Sequence, residues 1–195
     1  MTDSTVANNM CRRVARHTLD MVALEVAGAV AGGAPMTTET TIELAIFADY
    51  FQFYIQDETA NDDFGSLWTD EAVERLFATS AQSIGVGTVR NMTVPVVVSL
   101  HSQEPATDFG EWDMVNEGSF TVRSGCVAIA GCTDYLPDAP RLSVPPGSYR
   151  VRVSYAGLDT LSEDGLEGDD FYRVQLWPAP TAPLAVVKAR SSAAV

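Results

Sequence analysis

Residues 157–170, Gly-Leu-Asp-Thr-Leu-Ser-Glu-Asp-Gly-Leu-Glu-Gly-Asp-Asp, hold the densest chemistry of the 195-residue chain. Six carboxylates, Asp159, Glu163, Asp164, Glu167, Asp169 and Asp170, occur there without a Lys or Arg among them. Such a stretch can cage a hard cation, sit solvated in a loop, or face a basic partner. An EF-hand needs acids at loop positions 1, 3 and 5, Gly at 6 and Glu at 12. With Gly165 at the glycine position, the ligand positions fall on Thr160, Ser162, Asp164 and Phe171. Only Asp164 and Gly165 fit, which excludes the EF-hand and leaves other calcium loops open. Paired carboxylates also serve glycosidases, but that chemistry calls for a cleft on a larger scaffold.

The rest of the chain offers little to a reacting atom. Its two histidines are His17, near the N-terminus, and His101, at a strand end. No Gly-x-Ser-x-Gly elbow, phosphate-binding loop or dinucleotide fingerprint accompanies them, and no ligand set has zinc spacing. The chain therefore reads as a non-enzyme with no cofactor and no metal. Cys126 and Cys132 flank a strand segment. At about 3.3 Å per residue that segment outreaches the roughly 4.4–6.8 Å between Cα atoms of a disulfide. Both, with Cys11, read as reduced thiols, which favours a cytosolic setting.

The elements that must hold the acidic stretch are two strands. Tyr149–Tyr155 alternates, with Tyr149, Val151, Val153 and Tyr155 toward a core and Arg150 and Arg152 outward; Phe171–Leu176 repeats the pattern with Arg173 outward. Further strands are expected at 40–47, at 50–55, and at 93–101, where Pro95 marks a strand start or sheet edge. A hairpin is expected from 112–123 and 126–130 around Ser124-Gly125. Thr69 is placed to cap a helix over about residues 69–82, with Val73, Leu76 and Phe77 as its apolar stripe and Trp68 stapled to Val73. Seven or eight short strands, one helix and no βαβ alternation predict a mainly β fold, an antiparallel β-sandwich with one α-helix. The sandwich is expected over 39–178 as a single domain. Residues 1–38 read as a helical or loose N-terminal extension and 179–195 as a disordered Pro/Ala-rich tail.

Arg12, Arg13 and Arg16 precede an apolar run at 21–30, but Asp20 and Glu25 interrupt it, against a signal peptide. The composition changes character at Met36, a candidate alternative start. No run reaches the 18 apolar residues of a membrane helix.

Net charge is −14, and residues 39–177 hold 23 Asp and Glu against seven Arg. That excess opposes direct nucleic-acid binding and anionic membranes and steers the chain toward basic proteins; solubility or adaptation to salt is the plainer reading. Aromatics interleave with acids at Asp134, Tyr135 and Asp138, at Phe109, Glu111 and Trp112, and at Asp170 and Phe171. Either these form a recognition face, or the acids are solvated and the rings enter the core. A β-sandwich module binding calcium, carbohydrate or peptide is the alternative function.

Ile42-Glu-Leu-Ala-Ile-Phe47, Gln52-Phe53, Trp68-Thr-Asp-Glu-Ala-Val-Glu74 and the Ser83-Ile-Gly-Val86 turn resemble the competence protein J group. The likeness in motif detail spans Thr40 to Leu100. It implies a small bacterial β-protein that inhibits a partner DNA-entry nuclease. The chain departs from the group in its N-terminal extension and in a second half, Cys126 to Trp177, richer in acids and tyrosines. No inhibitory residues are carried over by position.

Resemblance and charge together imply a basic protein partner, a nuclease whose nucleic-acid cleft an acidic surface would occupy. The expected partner-binding residues are Asp134, Tyr135, Asp138, Asp159, Glu163, Asp164, Glu167, Asp169 and Asp170. Neutralising Asp164, Glu167, Asp169 and Asp170 together is expected to leave folding intact and to slow association.

Overall fold

Alternation of buried and covering residues along Tyr149–Tyr155 sets the centre of the larger of two sheets. In the computed structural model, residues 40–191 are described; the expectations for the N-terminal extension, Cys11, His17 and Met36 fall outside them. The strands are β1 (Thr40–Phe47), β2 (Gln52–Asp57), β3 (Phe77–Thr79), β4 (Ser83–Gly87), β5 (Thr93–Leu100), β6 (Met114–Val122), β7 (Cys126–Gly131), β8 (Arg141–Ser143), β9 (Gly147–Ala156), β10 (Phe171–Pro178) and β11 (Ala185–Lys188). They form a six-stranded sheet, β1-β5-β10-β9-β6-β11, and a five-stranded sheet, β3-β4-β2-β7-β8. The mainly β expectation holds. One pair departs from an antiparallel sandwich: β10 runs parallel to β5, with Tyr172 opposite Val96.

The core lies between the sheets. Val94, Val96 and Val98 of β5, Val151 and Val153 of β9, and Val174 and Leu176 of β10 are buried with Phe53, Ile55, Ile84, Val86, Val127 and Ile129 of the smaller sheet. Fully burying side chains of this size contributes about 1.5–3 kcal/mol each. Pro95 sits near the start of β5, and β10 pairs only from Val96 onward.

Four local expectations need correction. The helix begins as anticipated, with Thr69 Oγ1 accepting from Ala72 N at 3.3 Å, but it spans only Asp70–Glu74 and not 69–82. Leu76 takes a left-handed conformation (φ 52°) that ends the helix, and Phe77–Thr79 then pairs with β4. Val73 is therefore exposed, and Trp68 donates its indole N–H to the Tyr54 hydroxyl at 3.0 Å instead of stapling the helix. A second short helix, Phe64–Leu67, precedes it. Secondly, β6 and β7 are no hairpin; they belong to different sheets, and the chain crosses between them at Ser124-Gly125. Thirdly, part of the Pro/Ala-rich tail is ordered: β11 pairs with β6. Fourthly, Arg150 and Arg152 point away from the core yet are buried, because the tail and residues 104–109 cover that face. Arg150 donates to the carbonyls of Ala182 and Pro183, and Arg152 to that of Pro105.

Asp57 holds the crossover together. Its carboxylate accepts from Arg123 N (2.6 Å), Ser124 N (2.8 Å), Ser124 Oγ (2.9 Å) and Thr59 N (2.9 Å). Burial works to raise its pKa, but these bonds, led by the Thr59 hydroxyl, hold it below the ordinary value. A carboxyl whose folded pKa is depressed stabilises the fold above its unfolded pKa, near 3.9, and loses that contribution as pH falls through the folded value. Asp57→Asn is thus expected to cost about 2–3 kcal/mol at neutral pH, and acid unfolding as pH falls below about 4 should flatten in the variant. Urea unfolding measured across pH checks both.

Candidate functional site

Strand register gathers separate loops at one end of the sandwich. β9 ends at Ala156 opposite Phe171, where β10 begins, so residues 157–170 cap that end. Parallel pairing of β10 with β5 brings the segment before Thr93 beside it. Phe47, ending β1, pairs with Thr93; β2 opens with Gln52 opposite Gly87 and Phe53 opposite Gly131, the last residues of β4 and β7. Residues 47–52, 88–92, 131–138 and 157–170 thus share one end.

Hydrogen bonds join these segments. Ala48 N donates to Met92 O (3.0 Å) and Thr88 N to Phe51 O (2.8 Å). Gln52 Nε2 lies 3.5 Å from Cys132 Sγ. A Cβ at Gly131 would come 2.2 Å from Phe47 O, so that close approach requires glycine. Val89 N donates to the Tyr172 hydroxyl at 3.0 Å, and Arg90 Nη1 reaches Leu166 O at 3.5 Å.

The 157–170 loop carries its own framework. Gly157 adopts φ 68°, with Asp169 O where a Cβ would stand. Thr160 Oγ1 donates to Gly157 O (2.7 Å) and accepts from Asp169 N (2.8 Å), closing the base. Ser162 N donates to Glu167 O (2.8 Å), and Ser162 Oγ accepts from Glu167 N (3.0 Å). Asp164 accepts from Ser162 Oγ (2.6 Å) and Leu166 N (3.1 Å); the Ser162 hydroxyl first, then the Leu166 amide, keep its pKa below the ordinary value. Leu158 is buried beneath, its N–H donated to Asp113 at 2.9 Å.

Glu163, Asp164, Glu167 and Asp169 are exposed. Asp159 is exposed too, but it is paired with Arg190. Asp170 does not belong to the surface. Its side chain is 0% exposed; it accepts from Arg90 Nε and, at 2.8 Å, from the Tyr172 hydroxyl. Burial, with Asp170 beside it, pushes the Tyr172 pKa up. Asp170 therefore anchors the loop and cannot join the contact surface, and neutralising it along with its neighbours would perturb the fold.

At the other acidic segment, Asp134 accepts from Gly131 N at 2.7 Å. Leu136–Asp138 forms a 3-10 turn, and Asp134, Tyr135 and Asp138 are exposed. The buried Arg141 guanidinium fixes this loop by donating to the carbonyls of Leu136, Pro137 and Ala139 at 2.7–2.9 Å.

Tyr50 and Phe51 were expected in a strand. Instead Asp49–Phe51 is a 3-10 turn, with both aromatic residues left-handed (φ 56° and 60°) and exposed. This conformation costs a side-chain-bearing residue roughly 1–2 kcal/mol. Tyr50 N bonds to the Asp49 carboxylate (3.0 Å) and Phe51 N to Ala48 O (3.0 Å). The sequence carried one signal for this turn, Asp49 interrupting an otherwise apolar run from Ile46 to Phe51.

Among the described residues no three His, Cys, Asp or Glu are grouped to hold a metal ion. Neither Cys126, buried, nor Cys132, exposed, forms a disulfide. No helix among them is long and apolar enough to cross a membrane. A cavity of about 640 Å³ beside the short helix is lined by Glu71, Glu74, Arg75, Met114, Asp159 and Arg190, among others. Its acids face two arginines, so its field is mixed.

The sequence profile of a family described as competence protein J (ComJ) matches residues 44–176. No curated protein sequence matches the chain. Among solved structures, the chain is similar to ComJ of Bacillus subtilis, described as the inhibitor of the DNA-degrading activity of NucA. Identity is 20%, covering 74% of this chain and 99% of that one, with a TM-score of 0.52. It is also similar to a protein described as crocagin biosynthetic gene J, at 19% identity, 72% and 98% coverage and a TM-score of 0.48.

Proposed function

Because the chain belongs to the competence protein J family, we propose that it binds and inhibits a partner nuclease. An acidic surface at the loop end of the sandwich occupies the nuclease's basic, nucleic-acid-binding cleft. One observation carries this reading: Glu163, Asp164, Glu167 and Asp169 project from a loop braced by its own hydrogen bonds, at the same end as Asp134, Tyr135 and Asp138. Carboxylates held in place resemble a row of phosphates more closely than the same charges on a mobile loop, since less ordering remains at the moment of binding. The protein acts as a binder rather than an enzyme, in the cytosol, and its charge keeps it from nucleic acid itself.

Glu163→Gln, Asp164→Asn, Glu167→Gln and Asp169→Asn, combined, should leave Tm within a few degrees of the parent. They should slow association about ten-fold or more at low salt, with the difference shrinking as salt rises. Stopped-flow association and DNA-degradation assays with a NucA-type nuclease test this. A variant that inhibits as fast and as well as the parent would falsify the role of the loop.

A further inference from the structure

We propose that the aromatic turn Phe47–Phe51, with Tyr135 at the same end, is the anchor that sets how long a basic protein partner stays bound. Its rings fill an apolar pocket that the partner surrounds with Lys and Arg. The inference rests on the nuclease-binding reading and deepens it: the carboxylates govern arrival, and the aromatic residues govern departure.

Exposure is not the habit of this chain's aromatic residues. Phe53, Phe77, Phe120, Tyr149, Tyr155, Tyr172 and Trp177 are all buried. Tyr50 at 69%, Phe51 at 52% and Tyr135 at 71% stand out, and Phe47, Met92 and Leu166 add exposed apolar surface at the same end. Large rings at the centre of an interface, enclosed by a polar rim, are the usual source of slow dissociation. Here the rim is acidic: Asp49, Asp134 and Asp138 on one side, and Glu163, Asp164, Glu167 and Asp169 on the other. The arginines described at this end are already taken up, Arg90 by Asp170, Arg190 by Asp159, and the buried Arg141 by the carbonyls of Leu136, Pro137 and Ala139.

The backbone argues in the same direction. Tyr50 and Phe51 are both held left-handed, where glycine or asparagine would sit without strain. A fold that keeps two bulky residues in that state gives up stability that a simpler turn would retain. The Ala48–Met92 and Thr88–Phe51 bonds over-determine the turn and present both rings outward. Charge complementarity selects the occupant. A second copy would bring an equally acidic face against this one, with each chain at −14, whereas a basic surface would be attracted.

The test uses the full chain and Bacillus subtilis NucA as the defined probe, read by surface plasmon resonance at low and high salt and by inhibition of DNA degradation. Tyr50→Gly with Phe51→Gly should raise the dissociation rate about 30-fold or more, with association changed less than about three-fold. Its Tm should equal or exceed that of the parent, since glycine accepts the backbone angles. The four-carboxylate variant should do the reverse, slowing association and sparing dissociation. If the glycine variant dissociates as slowly as the parent while the parent inhibits, the anchor is overturned and the nuclease reading stands. If the parent neither binds nor inhibits NucA, the nuclease reading falls, and the anchor with it. A parent that sediments as a dimer and becomes a monomer in the glycine variant would assign the turn to a second copy. Protection of the Tyr50 and Tyr135 rings from tetranitromethane in the free monomer would assign it to the chain's own N-terminal segment. Either result overturns the proposal.

Discussion

Asp170→Ala should lower stability by about 3–5 kcal/mol, the largest effect expected of any carboxylate in the 157–170 loop. The substitution leaves the Arg90 guanidinium mostly buried with its carboxylate gone. It also removes the acceptor of the Tyr172 hydroxyl. The Tyr172 ring lies in the core, 6.0 Å from Phe53 and 5.8 Å from Tyr155, so the loss reaches the centre of the sandwich. Arg90→Ala added to Asp170→Ala should cost much less than the two single losses together, because the second change removes the stranded charge. The exposed acids Glu163, Glu167 and Asp169, by contrast, should change stability little. Urea denaturation of the single and double variants decides the matter. An Asp170→Ala protein with the parent's midpoint would show that the buried pair holds nothing.

Arg152→Ala should be comparably severe, at about 3–5 kcal/mol, though no partner contact is involved. The guanidinium is 1% exposed and lies 5.3 Å from the Phe109 ring centroid and 5.2 Å from that of Trp177. It donates to Glu117 at 2.7 Å and Glu104 at 3.0 Å. Removing it vacates the space between the rings and leaves Glu117 with only Arg150, at 3.3 Å. Arg152→Lys should recover little, because an ammonium has neither the planar fork nor the stacking face of the guanidinium. Thermal unfolding should show both variants melting well below the parent. Recovery of most of the loss by lysine would show that charge alone matters there.

Arg152 also marks how far the sequence could be read. Alternation placed it correctly on the face away from the core, but alternation describes one sheet and cannot foresee what covers its other side. Residues 104–109 and the tail provide that cover, and they do so through irregular segments that carry no period. The same limit explains Asp170. As one acid among six it looked like its neighbours, and only pairing with Arg90, distant in sequence, separates it from Asp169. The helix cap at Thr69 was legible because capping is local. The helix end at Leu76 was not, because it depends on Phe77–Thr79 finding β4. Crossing between sheets at Ser124-Gly125 was hidden for a related reason. A short turn reads as a hairpin until Asp57, far upstream, is seen gripping it. Tyr50 and Phe51 are strong β-formers in an apolar run, a pattern that reads as strand, while tertiary bonds hold them in a turn.

The one parallel pairing has a consequence for how the protein is made. β5 can pair with β1 as soon as both have left the ribosome, but its other edge belongs to β10, which is synthesised much later. At about 5–20 residues per second, the valines of β5 wait for seconds beside an empty place in the sheet. Pairings this distant in sequence close slowly. The acidic loop precedes β10 directly and is pinned at Asp170, so its internally bonded framework is fixed to the sandwich only when β10 docks. Chains ending anywhere before Phe171 should therefore leave this end of the sandwich unassembled, and its assembly should be a late, all-or-none event that waits for β10.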